Sequence, residues 1–190
     1  MSEKMDLPPN PANWAALTPI SFLSRTADVY PQHIGVIHGA RRFTWSEVHE
    51  RCRRFASALR GIGIAPGDTV AVMAPNVPLL LEAHFAVPMA GAILNAINTR
   101  LDPAAIAYIL EHSEAKILIA DTEYHAVIRK ALALLPRPLK VIDSEDPEGP
   151  GGERLGEMEY ETLLGDPAFE AVPPGDEWDS IAVNYTSGTT

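Results

Sequence analysis

One cysteine, Cys52, stands in 190 residues, so no disulfide can form within the chain and the sequence reads as intracellular, with the cytoplasm as the expected compartment. Basic charge is scarce: 15 Lys and Arg face 25 Asp and Glu, a formal net charge of −10. Nucleic acid and anionic membrane surfaces need clustered positive charge, so neither is expected as a partner. Long apolar runs are missing too. The most apolar stretch, 77–97, is interrupted by Glu82, His84, Pro88 and Asn95, whereas a membrane span needs about twenty apolar residues without charge. No integral membrane segment is expected, and the polar, proline-rich start from Met1 to Trp14 lacks the apolar core of a secretory signal.

Catalytic signatures are equally few. Six histidines are scattered without zinc-ligand spacing, and Cys52 has no second cysteine to share a metal with. No Gly-x-Ser-x-Gly elbow is present for a hydrolase. Gly61 and Gly63 follow a helix and lack the third glycine of a dinucleotide fingerprint, which disfavours an oxidoreductase. Glu82 and His84, two apart on a helix, point to different faces and cannot act as a pair.

What is present is enough apolar material for a core, 46% of the residues, which excludes intrinsic disorder. The acidity is local. Residues 141–180 hold thirteen of the acids against one base, Arg154. Ser144–Gly152 has the composition of a surface loop, and the span 143–178 reads as an acidic surface excursion, with one turn of helix at Glu159–Leu164. It lacks the ligand spacing of a calcium loop.

The periodicities read as an extended arm over 1–17 and an α/β unit over 18–190. Thr18-Pro19-Ile20 opens a helix with Phe22, Leu23, Ala27 and Val29 inward. Ile34–His38 and Arg41–Thr44 form a hairpin around Gly39-Ala40. Thr44-Trp45-Ser46-Glu47 is a capping box at the head of a helix with Trp45, Val48, Cys52, Phe55, Ala56 and Leu59 on one face. Cys52 is thus a core residue rather than a nucleophile, while Arg51, Arg53, Arg54 and Arg60 read as a solvated row. Strands at Thr69–Ala74, Ala92–Asn95, Lys116–Ala120, Leu139–Ile142 and Ser180–Tyr185 alternate with helices at Pro78–Met89, Pro103–His112 and Thr122–Leu135. That alternation implies right-handed crossovers and a mainly parallel sheet flanked by helices.

One motif bears chemistry. The last strand runs into Thr186-Ser187-Gly188-Thr189-Thr190. Four hydroxyls and a glycine after a parallel strand suit phosphate: the hydroxyls donate to phosphate oxygens, and glycine lets backbone amides converge on the anion. Flexible chain ends are also rich in these residues, so local chemistry leaves both readings open.

Tyr185-Thr186-Ser187-Gly188-Thr189-Thr190 resembles the opening of the phosphate loop of the adenylate-forming superfamily, which includes acyl-CoA synthetases and aryl-CoA ligases. The 43–59 segment resembles that family's first long helix, and 67–76 resembles its first core strand and turn. Residues 90–98 and the 117–121 strand follow in the family's order. Leu94-Asn95-Ala96-Ile97-Asn98-Thr99-Arg100-Leu101 is similar to bacterial short- and medium-chain acyl-CoA synthetases of the methylmercaptopropionate-CoA ligase type. The resemblance implies ATP, Mg²⁺ and CoA as requirements of the full-length enzyme, a carboxylic acid substrate, and Thr186, Ser187, Gly188, Thr189 and Thr190 as holders of the ATP phosphates. It also implies that the chain is an N-terminal segment, without catalytic residues or metal ligands of its own and inactive alone. A cut sheet would expose apolar faces, so self-association, for example as a homodimer, or cover by the missing remainder of the polypeptide is expected. The competing reading is a non-catalytic α/β module for ligand binding or assembly.

Overall fold

Thr18 caps the first helix. Its Oγ1 accepts the N–H of Ile20 at 3.1 Å and of Ser21 at 3.4 Å, with Pro19 at the first helical position, where its missing N–H costs nothing. The computed structural model describes residues 10, 12, 14–165, 172 and 176–186; most of the expected arm 1–17 and the loop residues Ser187, Gly188, Thr189 and Thr190 lie outside them. The helix, α1 (Pro19–Val29), buries Ile20, Leu23 and Ala27. Phe22 and Val29, expected inward, are 59% and 56% exposed. At 100° per residue, positions 20, 23 and 27 share one face and 22 and 29 the opposite one.

A hairpin of β1 (Ile34–His38) and β2 (Arg41–Thr44) turns through Gly39 at a φ of 56°, a conformation glycine adopts without a Cβ clash. The capping box forms as expected at the head of α2 (Trp45–Gly61): Glu47 N–H donates to Thr44 Oγ1, and Thr44 N–H donates back to Glu47 Oε2 at 2.7 Å. Its inward face buries Val48, Cys52, Phe55, Ala56 and Leu59.

The sheet is parallel throughout, in the order β4-β3-β5-β6-β7. Its strands are β3 (Thr69–Met73), β4 (Ile93–Ala96), β5 (Ile117–Asp121), β6 (Lys140–Ser144) and β7 (Met158–Glu159). The crossovers are α3 (Pro78–Met89), α4 (Pro103–His112) and, after a 3-10 turn at Thr122–Tyr124, α5 (His125–Leu132). Strand alternation sends Val70 and Val72 into one core with Phe55, Leu59 and Ile119, and Ala71 and Met73 into another with Leu118, Ile106 and Ile128. Both faces are therefore covered, which explains why β3 and β5 are apolar at consecutive positions rather than alternating.

The acidic excursion is where structure and sequence part. Asp143 and Ser144 are buried at the end of β6, and Met158–Glu159 adds a fifth parallel strand beside it. A short helix, α6 (Tyr160–Leu163), follows and buries Tyr160 to 1% exposure, edge-on to Phe55 with ring centroids 4.9 Å apart. The segment is thus partly a core element, not only a surface loop. Its carboxylates organise irregular backbone: Asp143 accepts the N–H groups of Leu155 at 3.0 Å and Gly156 at 2.8 Å, and Asp146 pairs with His38 at 2.8 Å.

That docking tolerates no Cβ at Gly156, where an added methyl would fall inside contact of the Val141 carbonyl. Gly156→Ala must push the 155–159 segment off β6. An overpacking cost of about 1–3 kcal/mol is expected, read as a lower urea midpoint; an unchanged midpoint would show that this packing is loose.

The expected strand Ser180–Tyr185 is reduced to one parallel bridge, Ala182 to Leu94. Leu94 N–H donates to Ile181 O at 3.0 Å, and Val183 N–H donates to Leu94 O at 2.8 Å. Among the described residues the outer side of this segment carries no neighbouring strand, and its ladder to β4 consists of two bonds.

Candidate phosphate-binding site

Ligands of open parallel sheets bind beyond the carboxyl ends of the strands. At that edge Ile181–Thr186 emerges beside the end of β4. There a cavity of about 330 Å³ is lined by Asn95, Asn98, Leu101, Tyr108, Tyr185 and Thr186, among others. Thr186 is exposed and borders this cavity. The structure therefore places one of the five expected phosphate-binding residues at a strand's carboxyl end, beside an open cavity; Ser187, Gly188, Thr189 and Thr190 lie outside the described residues.

The cavity wall has a polar framework that the sequence did not single out. Tyr185 Oη lies 2.7 Å from His112 Nδ1, and the Tyr185 ring stands edge-on to His112 and Tyr108 at centroid distances of 5.7 and 6.5 Å. Tyr108 and His112, one turn apart on α4, stack at 5.3 Å. Asn95, buried at the middle of β4, donates through Nδ2 to Ser113 Oγ at 3.0 Å. Burial and the nearby Tyr108 phenol raise the Tyr185 pKa, against a lowering by Ser113, so this phenol stays protonated near neutral pH. The available signal was the four-residue spacing of Tyr108 and His112, which reads equally well as a solvated helix face.

The chain reverses its lateral progression between β3 and β5, making their carboxyl ends the sheet's switch point. Asp121 ends β5 here. Its Oδ1 accepts the Glu123 N–H at 2.9 Å, while Asp121 Oδ2 and Thr122 Oγ1 are buried without a hydrogen-bond partner among the described residues. Burial raises the Asp121 carboxyl pKa, partly offset by the Glu123 amide.

A second network lies in the other core. Glu82, 2% exposed, accepts from Arg51 Nε at 2.7 Å and Nη2 at 3.2 Å, and from the Tyr160 hydroxyl. Arg51 also donates to Glu161 at 2.7 Å. Arg51 is therefore not part of a solvated row, because α3 and α6 each bring a carboxylate to it. Burial holds the Tyr160 phenol far above its ordinary pKa. Cys52, fully buried beneath, has its thiol pushed up by desolvation and by the Glu82 charge, which removes any thiolate reactivity. Among the described residues no cluster of three or more His, Cys, Asp or Glu could hold a metal, and no helix is long and apolar enough to cross a membrane.

The family model described as AMP-binding enzyme matches residues 23–190. The acetate–CoA ligase CCL3 of Humulus lupulus is 48% identical over 97% of this chain and 35% of its own length. The peroxisomal acetate/butyrate–CoA ligase AAE7 of Arabidopsis thaliana is 45% identical over the same shares. A crystal structure of a benzoate CoA ligase from Burkholderia xenovorans LB400 superimposes with a TM-score of 0.70 at 28% identity, over 82% of this chain and 30% of that one. The chain spans about a third of the length of the relatives it matches.

Proposed function

We propose, from the premise that this chain belongs to the AMP-binding enzyme family, that it is the N-terminal segment of an AMP-forming acid–CoA ligase for short- or medium-chain carboxylic acids. The observation that carries this reading is the match over 23–190; it is supported by Thr186, the first residue of the hydroxyl-rich run, lying beside the cavity at the carboxyl edge of a parallel sheet. The named acids of the hop and Arabidopsis relatives, acetate and butyrate, support the substrate class.

Such a ligase joins a carboxylate to the α-phosphate of ATP with release of pyrophosphate, then passes the acyl group to CoA. The barrier is electrostatic, since an anion must approach a phosphate already ringed by negative oxygens. Hydroxyl and amide donors fixed in place before reaction lower it without reorganising. In this reading 1–17 is an arm and 18–190 an incomplete subdomain, with Thr186, Ser187, Gly188, Thr189 and Thr190 donating to the phosphates that leave as pyrophosphate. Mg²⁺ finds no carboxylate cluster among the described residues and is assigned to the nucleotide and the remaining polypeptide, as is the CoA site. The expected cover of exposed apolar surface, by that polypeptide or by a second copy in a homodimer, belongs to the same reading; an apolar groove of about 520 Å³ lies between Ile37 on the hairpin and Leu81 on α3. We place the protein in the cytoplasm, a reading that rests on its single buried cysteine; the Arabidopsis relative is peroxisomal.

ATP–pyrophosphate exchange tests the reading. The complete polypeptide opened by this chain is expected to show exchange dependent on acetate or butyrate, and the pure 190-residue chain none. Exchange by the 190-residue chain alone would overturn the segment reading. Absence of exchange from the complete polypeptide with any short- or medium-chain acid would favour a non-catalytic module.

A further inference from the structure

The segment that delivers Thr186 to the cavity is held, among the described residues, by two backbone bonds to Leu94, yet it must present its hydroxyl in a fixed place. Side chains supply the rest. Tyr185 immediately precedes Thr186, and its hydroxyl shares a 2.7 Å hydrogen bond with His112 Nδ1 at the last residue of α4. Its ring is cornered between His112 and Tyr108, and those two stack on each other. The end of α4 is itself tied to the sheet, because Asn95 Nδ2 donates to Ser113 Oγ at 3.0 Å. An unbroken path of contacts thus runs from β4, through the end of α4, to the residue before the phosphate-binding threonine.

We propose that His112 and Tyr185 are positioning residues of the phosphate-binding segment: their hydrogen bond, backed by Tyr108, fixes where Thr186 enters the cavity. This deepens the ligase reading and rests on it. Neither side chain is asked to touch the nucleotide. Thr186 follows Tyr185 directly in the chain, and both residues border the cavity. Holding the first on α4 therefore directs the second.

The contact is specific to Nδ1, which separates the effect from simple packing. Asparagine carries an amide near the position of Nδ1 and can renew the bond to Tyr185; alanine cannot. In the complete enzyme, His112→Ala and Tyr185→Phe are each expected to lower kcat/KM for ATP by about tenfold, the order of one well-placed hydrogen bond, with KM for the acid unchanged. His112→Asn is expected to restore most of it. Tyr185→Phe removes the interaction with Ser113 as well as the bond to His112, so the double variant is expected to be no worse than Tyr185→Phe alone. Unchanged ATP kinetics in His112→Ala, or equal losses in His112→Ala and His112→Asn, would overturn the proposal.

A second measurement on the 190-residue chain does not depend on ligase activity. The Val183 amide, bonded to Leu94 O, is expected to exchange with deuterium about tenfold faster in His112→Ala and at the wild-type rate in His112→Asn, with β3 and β5 equally protected in all three. An unaltered Val183 rate in His112→Ala would overturn the anchor. Inactive wild-type enzyme together with the expected exchange pattern would instead refute the ligase reading and leave the anchor standing.

Discussion

Glu82→Ala is expected to lower the unfolding free energy by about 3–5 kcal/mol, the cost of removing one partner from a buried ion pair. Glu82 is almost wholly buried and receives two Arg51 N–H groups and the Tyr160 hydroxyl. Without it, Tyr160 is left with a buried hydroxyl, and Arg51 retains, among the described residues, Glu161, which sits nearer solvent, and the face of the Phe43 ring. Urea denaturation checks this: the midpoint should fall with the slope unchanged. Glu82→Gln, which keeps shape and acceptor but not charge, should fall between. The paired change Arg51→Met with Glu82→Leu should recover much of the loss, since a buried ion pair is often no better than an apolar pair of like volume. A Glu82→Ala loss below about 1 kcal/mol would show that the network is no better than a surface pair.

The same network sets an acid limit. Burial works to raise the Glu161 pKa, but the hydrogen bond and charge of Arg51 prevail and hold it below its ordinary value of 4.5. A carboxylate with a depressed folded pKa stabilises the fold above its unfolded value, and that contribution is lost as pH falls through the folded one. The urea midpoint should therefore decline below about pH 4.5, and less steeply in Glu161→Gln.

Thr186→Val in the complete enzyme is expected to lower kcat/KM for ATP by about 10²–10³, the loss found when one preorganised donor to developing charge is removed. Valine matches threonine in shape but lacks the hydroxyl, so the cavity keeps its form and loses only the donor. Thr186→Ser should retain most of the activity. Stopped ATP–pyrophosphate exchange with unchanged chain stability would assign the effect to the hydroxyl; a change within threefold would remove Thr186 from the phosphate-binding set.

Much of the architecture was legible in residue patterns. The capping box at Thr44, the proline openings of α3 and α4 and the consecutive apolar positions of β3 and β5 each depend on a few neighbouring residues, and each formed where expected within a residue or two. What failed was whatever depends on residues far apart. Arg51 looked solvated because its partners, Glu82 and Glu161, sit on other elements. The acidic excursion looked like a solvated loop because β7, only two residues long, has no periodicity, and Tyr160 is a lone aromatic among acids. Thr186 could be proposed from its neighbours in sequence, but its supports on α4 could not. His112 becomes meaningful only once Tyr185 has been brought to it.

The bridge between Leu94 and Ala182 also bears on the order in which the protein assembles. β3 through β7 can associate while the chain is still being made, each crossover closing a modest loop. The segment carrying Thr186 must return across almost half the sequence to reach β4, and loop closure over that distance is slow and entropically dear. It is made after β3 to β7 and, among the described residues, has the weakest ladder of the sheet. A sheet that is already assembled is thus the template on which the Thr186 segment is laid down, and errors in its seating leave the folded core intact.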